Sequence, residues 1–294
     1  MSERSNASET RLSVRKTYKL YVGGKFPRSE SGRSYQVTGT DGSTLANAAR
    51  ASRKDVRDAV VAARKAQPGW AGSTAYLRGQ ILYRVAEMLE GRRAQFVEEV
   101  RAADGATKKV AEAFLDAAVD RWVWYAGWAD KVPQVLGGAN PVAGPYFNLS
   151  SPEPTGVVGV VAPQKGPLLG LISVIAPAIV TGNTVVVLAS EDKPLPAITL
   201  GEVLATSDLP GGVVNILTGH VAEMAPHLAS HADVNGVDLT GVDDAELARS
   251  LEVSAAGNLK RVFRAGNEDW LAEPGIKRLR AWTEIKTVWH PAAG

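Results

Sequence analysis

The residues of this chain whose types and spacing could do chemistry are four histidines, three closely set tryptophans and two acidic doublets. Its 294 residues contain no cysteine. His227 and His231 lie four apart, so a helix would bring both imidazoles to one side, where they could share a metal ion. No third ligand stands beside them, and His220 and His290 are not grouped with them. The pair is therefore read as solvent-facing, with no metal site. The doublets Glu98–Glu99 and Asp243–Asp244 could supply a general acid and a general base. Asp243 and Asp244, however, open a helix, where carboxylates offset the helix dipole. Glu98 and Glu99 fall on a helix surface, so both doublets are read as solvated. Trp122, Trp124 and Trp128 could stack on a nucleobase, but their helical spacing suits packing, including packing at an interface. The lack of cysteine removes disulfides, thiolate nucleophiles and Cys-ligated zinc together, and it fits a cytoplasmic protein. G-x-G-x-x-G, Walker, G-x-S-x-G and H-E-x-x-H motifs are all absent from the sequence.

The elements that must position these residues follow from hydrophobic patterning. With 45% hydrophobic and 22% charged residues the composition is that of an ordinary globular protein, and a net charge of +2 gives no reason to expect nucleic acid or an anionic membrane as partner. No run reaches the ~18 apolar residues of a membrane helix. The longest, Leu168 to Val180, is interrupted by Gly170, Ser173 and Pro177. Met1 to about Ser13 reads as a frayed tail, without the apolar stretch of a secretory signal and with Glu3 and Glu9 against a transit peptide. Leu20 to Phe26 predicts two short strands around a Gly-Gly turn, and Tyr35 to Ala49 a second extended stretch. Ser52 and Thr74 are N-cap candidates. Helices are predicted over Lys54–Lys65, ended by Pro68 and Gly69, then from Thr74, over Arg92–Arg101 and over Lys108–Gly127. Val132 to Asn148, rich in Pro, Gly and Asn, predicts a protruding hairpin. Beyond it, apolar strands at Gly156–Ala162, Thr184–Leu188, Gly212–Leu217, Val234–Thr240 and Leu259–Arg264 alternate with helices. That pattern predicts an α/β fold with a Rossmann-like parallel sheet covered by helices on both faces. Thr283 to Trp289 alternates and predicts one more strand, which must pair within this chain or with another subunit.

The stretch Glu153 to Gly219, EPTGVVGVVAPQKGPLL…APAIVTGNTVVVLASE…LPGGVVNILTG, resembles the cofactor-binding domain of the aldehyde dehydrogenase superfamily. Tyr21–Phe26, Ala51–Ala71 and Asn258–Val262 (NLKRV) are similar to further segments of that family in the same order, so the resemblance spans about Leu20 to Val262. The layout also looks like the cysteine-less C-terminal module of long, two-module members. The resemblance implies three units. They are a flexible tail at 1–15, a cofactor-binding domain formed by 16–130 with 153–266, and an oligomerisation arm formed by 131–152 with 276–294. In such enzymes a cysteine thiolate attacks the aldehyde, NAD(P) accepts hydride, a glutamate activates water, and an asparagine holds the oxyanion.

Position by position, the resemblance implies a degenerate site. The asparagine of the family's Pro-Trp-Asn falls at Lys165, in Pro163-Gln164-Lys165. The glutamate's stretch reads Phe263-Arg264-Ala265-Gly266, without a carboxylate. A catalytic domain carrying the cysteine has no counterpart after Val262. The implied cofactor contacts are Ala162, Pro163, Ser190, Glu191 and Gly241. The ribose-binding lysine is missing from Leu188-Ala189-Ser190-Glu191, and Thr240-Gly241-Val242-Asp243-Asp244 sets carboxylates where pyrophosphate would lie. NAD or NADP binding is expected to be weak or lost. The implied function is that of a non-catalytic subunit, cytoplasmic, forming a homo-oligomer or a hetero-oligomer with a catalytic aldehyde dehydrogenase. The alternatives are an oxidoreductase acting on aldehydes through non-standard residues, with Lys165 as a buried Schiff-base or general-base lysine, and a nucleotide-binding module.

Overall fold

Extended and helical segments of the first half build the outer layer. The computed structural model describes residues 15–266 and 268–292, so the predicted tail at Met1–Ser13 lies outside the described residues. Strands β1 (Thr17–Tyr18), β2 (Ser34–Thr38) and β3 (Thr44–Ala49) form a small sheet in the order β1-β3-β2. The stretch Leu20–Phe26 is a tight turn and not a pair of strands. Val22 and Lys25 exchange backbone hydrogen bonds of 2.9 and 3.0 Å around Gly23 and Gly24, both at positive φ, which glycine adopts without strain. Beyond this rung the turn is closed by the Leu20 N–H donating to the Pro27 carbonyl at 3.0 Å, since Pro27 has no N–H to return. Helix α1 (Arg53–Gly72) opens on a capping box. The Ser52 hydroxyl accepts from the Lys54 and Asp55 N–H groups, and Asp55 accepts from the Ser52 N–H. The helix does not stop at Pro68 as expected. Trp70, 1% exposed, donates from Nε1 to the Ile179 carbonyl at 2.8 Å. This tertiary anchor holds a last turn that proline alone would end. Helices α2 (Ala75–Gly91), capped by Thr74, α3 (Arg93–Asp104) and α4 (Lys108–Trp128) follow.

The region expected to be all hairpin begins with a helical turn, α5 (Val132–Leu136), because Pro133 in its first turn needs no N–H partner. The hairpin itself is β4 (Gly138–Asn140) with β5 (Tyr146–Pro154). The second half then alternates β6 (Val157–Val161), α6 (Leu169–Val180), β7 (Thr184–Leu188), α7 (Leu195–Leu204), β8 (Val214–Leu217), α8 (Val221–Ser230), β9 (Gly236–Asp238), α9 (Ala245–Ala256) and β10 (Arg261–Phe263). The five strands form an all-parallel sheet in the order β10-β9-β6-β7-β8. Successive side chains serve opposite faces. Val158, Val160, Val185 and Val187 join the core beneath α2, α4, α6 and α7, while Val157, Val161, Val186 and Leu188 join the core beneath α1, α8 and α9. Each fully buried valine contributes about 1.5–3 kcal/mol, which is why the continuous apolar runs specify a sheet covered on both faces.

From β10 the chain runs through residues 264–282, including the short α10 (Lys277–Ala281), directly to β11 (Thr283–Pro291). Three contacts pin this connector. The Arg121 guanidinium on α4 donates to the carbonyls of Trp270 (2.7 Å) and Ala272 (3.0 Å). Arg278, 6% exposed, pairs with the fully buried Asp238 at the end of β9. Trp282, fully buried, lies where a Cβ on Gly236 would come within 2.7 Å of its ring. Strand β11 finds its partner within the same chain. It pairs antiparallel with β5 along its whole length, Thr283 opposite Pro154 through Pro291 opposite Tyr146, in a sheet of order β11-β5-β4. No helix among the described residues is long and apolar enough to cross a membrane.

Candidate functional site

The carboxyl ends of β6, β9 and β10 open on one cleft of about 660 Å³, the place where ligands sit in open parallel sheets. Its walls are the loops after those strands, Phe114 of α4, and connector residues Glu268 to Leu271. The structure brings Pro163, Lys165 and Gly241 to this cleft. Ala162 directly follows β6, next to Pro163, and Ser190 and Glu191 stand one loop away, after β7.

The loop after β6 is held by a residue that motif comparison passed over. Gln164 donates from Nε2 to the Ala162 carbonyl at 2.7 Å and accepts the Glu191 N–H at 3.0 Å, while Ser190 donates from Oγ to the Gln164 carbonyl at 3.0 Å. Lys165, beside it, is exposed. The desolvation on which a Schiff-base or general-base lysine depends is missing at this position.

Glu191 points its carboxylate at the start of α8, where it accepts the Val221 N–H. Its other oxygen lies 3.5 Å from His220 Nδ1. The Tyr35 hydroxyl donates to the Glu191 carbonyl at 3.0 Å. Burial, then the Glu191 charge, pushes the Tyr35 phenol well above its ordinary range.

The loop after β9 shows why its residues have these types. Gly241 donates to the Val161 carbonyl at 3.0 Å, and a Cβ there would fall 1.9 Å from the Ala162 oxygen, so only glycine lets the two loops cross. Val242, 8% exposed, turns its side chain into the core beneath α1, α8 and α9. The Thr240 hydroxyl donates to Asp238 and accepts from Arg278 Nη2 at 2.9 Å. Asp244 is the N-cap of α9, accepting the N–H groups of Glu246 and Leu247 at 2.8 and 3.1 Å. Among the described residues, the buried side-chain polar atoms without a partner are Glu99 Oε2, Arg101 Nε, Trp122 Nε1 and Trp282 Nε1. None belongs to the cleft lining.

The other sequence candidates sit elsewhere. His227 and His231 are half-buried. Burial pushes His231 below its ordinary value, and its Nδ1 accepts the Asp233 N–H at 3.2 Å. No group of three metal-ligating side chains occurs among the described residues. Trp122 is fully buried, while Trp124 and Trp128 stack on each other with centroids 5.2 Å apart. Glu99 is not a solvated surface group. It is half-buried between α3 and α7, accepts from Thr199 Oγ1 at 2.9 Å and Gln95 Nε2 at 3.0 Å, and burial raises its carboxyl above the usual range. A larger groove of about 990 Å³ runs between α2 and α4 over Tyr76, Leu77, Tyr83 and Val123, and it contains none of the residues singled out in the sequence.

Comparison with known proteins places this geometry. The sequence pattern of the Aldehyde dehydrogenase family matches residues 26–265. The chain is 33% identical over 261 residues to "Aldehyde dehydrogenase, cytosolic 1" of Elephantulus edwardii, covering 86% of this chain and 50% of that protein. It is 34% identical over 252 residues to "Retinal dehydrogenase 2" of Homo sapiens, covering 83% and 47%. The chain thus spans about half the length of the curated relatives it matches. Among solved structures, HpcC from Thermus thermophilus superposes with a TM-score of 0.80 at 29% identity, over 85% of this chain and 48% of that one. The NAD+ complex of an aldehyde dehydrogenase from Bacillus cereus gives 0.80 at 26% identity, over 85% and 50%.

Proposed function

The chain belongs to the aldehyde dehydrogenase family, and we propose that within it the chain serves as a non-catalytic subunit, assembling with itself or with a full-length NAD(P)-dependent aldehyde dehydrogenase. The observation that carries this reading is the connector. Where the family's strand leads to a water-activating glutamate, β10 delivers Arg264, Ala265 and Gly266, and the chain then passes through residues 264–282 into the arm sheet. No cysteine is present to form a thioacyl bond, and Lys165, which the resemblance sets at the family's oxyanion position, is exposed. A thiolate and its base would have to come from outside these residues.

In this reading residues 16–130 with 153–266 form the cofactor-domain body, and residues 131–152 with 276–294 form the arm through which subunits join. Among the described residues the outer edge of β11 has no paired strand, and exposed Phe147, Leu149, Ile285 and Trp289 suit addition of a strand or sheet from another chain. The cytosolic relative supports a cytoplasmic setting. The NAD+-bound neighbour indicates which cofactor the fold would take, and we propose that this chain binds NAD or NADP weakly or not at all.

The test is affinity purification of the full chain from its native cell. The expected result is a stable oligomer, of this chain alone or with a cysteine-bearing aldehyde dehydrogenase, and no NAD(P)-dependent aldehyde oxidation by the chain by itself. Turnover by the chain alone, or a monomer that associates with nothing, overturns the proposal.

A further inference from the structure

We infer that the cavity between α4, α6 and the connector binds a small monocarboxylate, held by Arg121 and Tyr125 with Trp270 in its wall. The inference goes beyond the subunit reading and does not depend on it.

The cavity has a volume of about 300 Å³, at the small end of the range for ligand pockets. It borders the cleft already described, since Glu268, Asp269 and Trp270 line both. Arg121 and Tyr125 stand one turn apart on α4, so their side chains leave the helix on the same side. Arg121 is 7% exposed, and none of the ion pairs among the described residues includes it. A guanidinium carries five N–H donors. Three are used here, one on Ser173 Oγ at 3.0 Å and two on the carbonyls of Trp270 and Ala272. Among the described residues the Nε proton and one Nη1 proton have no acceptor. All three acceptors are neutral, so a cation kept from water has no counter-ion in contact. Such an arrangement costs free energy until an anion completes it. Burial accordingly holds the guanidinium below its ordinary value.

Tyr125, 2% exposed, is the second donor. It lines the cavity, and its hydroxyl makes no hydrogen bond to any described residue. Burial pushes the phenol up to about 12, so it keeps its proton and can donate at neutral pH. The Arg121 and Arg278 charges pull it the other way, which sets both guanidinium groups near the hydroxyl. Glu268 is turned to Arg278 at 3.0 Å, and Arg278 also holds Asp238, so neither carboxylate pairs with Arg121.

The walls choose among anions. Trp270 and Pro274 suit a hydrocarbon or aromatic body. Asp269 and Glu273 stand exposed in the lining with Lys277, a net negative charge that opposes a dianion more than a monoanion. The two oxygens of one carboxylate can meet guanidinium N–H groups and a phenol O–H together.

The experiment is isothermal titration of the purified full chain with benzoate, with its neutral counterpart benzamide, and with inorganic phosphate. Benzoate is expected to bind with a dissociation constant of about 1 mM or tighter. Benzamide and phosphate should bind at least about tenfold more weakly. Arg121→Met is expected to abolish benzoate binding. Arg121 also pins the connector, so the fold of that variant is checked by circular dichroism. Should it not fold, Tyr125→Phe decides, because it removes only a hydroxyl that holds nothing else among the described residues. Benzoate should bind Tyr125→Phe about tenfold more weakly. A wild type that binds benzoate no tighter than benzamide or phosphate overturns the inference, and so does a folded Tyr125→Phe with wild-type affinity. Neither result touches the subunit reading, which stands or falls on association and turnover.

Discussion

Two regions of this molecule have been treated differently. At the crevice of the parallel sheet the backbone framework is intact, yet polar groups that could meet a ligand are engaged by the chain itself: Thr240 by Asp238 and Arg278, and the first N–H groups of α9 by Asp244. In the arm the opposite holds. Nine residues of β11 pair in register with β5, and large side chains still point outward: Tyr146, Phe147, Leu149, Ile285 and Trp289 are 40–57% exposed. Inward satisfaction marks a surface that has stopped looking for a partner, and outward apolar exposure marks one that still has use for it. The contrast separates the fold of the family from its chemistry, because the same strands carry both.

The sharpest way to break the comparison is to loosen the connector that divides the two regions. Trp282→Ala should destabilise the chain by about 3–5 kcal/mol, read by urea unfolding, since it empties the space over Gly236. Arg278→Met should cost nearly as much, about 3 kcal/mol or more, because it strips the fully buried Asp238 of its ion-pair partner. A loss below about 1 kcal/mol in either variant would mean that the connector is a passive tether. The arm should answer in assembly and hardly at all in stability. Phe147→Ser with Trp289→Ser should abolish oligomers in light scattering, while the unfolding free energy moves by no more than about 1 kcal/mol. An unchanged oligomer would put the interface elsewhere, with the α2–α4 groove the next surface to test. The smallest effect is a matter of pH. The Glu99 carboxyl is raised in the folded state, so the native chain holds its proton more firmly than the unfolded chain does. Its stabilising contribution is complete below the ordinary value of 4.5 and is lost as pH rises through the raised value. Glu99→Gln should therefore gain on the wild type as pH increases from 4.5 toward neutrality, in paired denaturant titrations. A constant difference across that range would show that Glu99 does not titrate with folding.

Much of this was legible in the amino-acid sequence, for physical reasons that differ by region. The continuous runs at Val157–Val161 and Thr184–Leu188 have one stable use, a parallel strand covered on both faces, and that is where they lie. Ser52 and Thr74 announced their helices because a capping side chain acts on backbone two or three residues away. Pro68 misled because its local cost is offset by a contact 109 residues on, from Trp70 to Ile179. The site was half legible. The residue types at 163–165 and 240–244 marked where the chain departs from the family's pattern. They could not state that Glu191 closes α8, that Gln164 ties two loops together, or that Asp238 waits for an arginine forty residues later. Such pairings depend on the sheet's curvature and strand order, which patterning does not encode.

The pairing of β5 with β11 also sets a timetable. Ser150 and Thr287, which face each other across that ladder, are separated by 137 residues. At ~5–20 residues per second a ribosome takes roughly 7–27 s to make that interval. For that time β5 has been made and its long edge has no mate. Whatever meets the arm during synthesis meets a template with an open side, and β11 reaches it last.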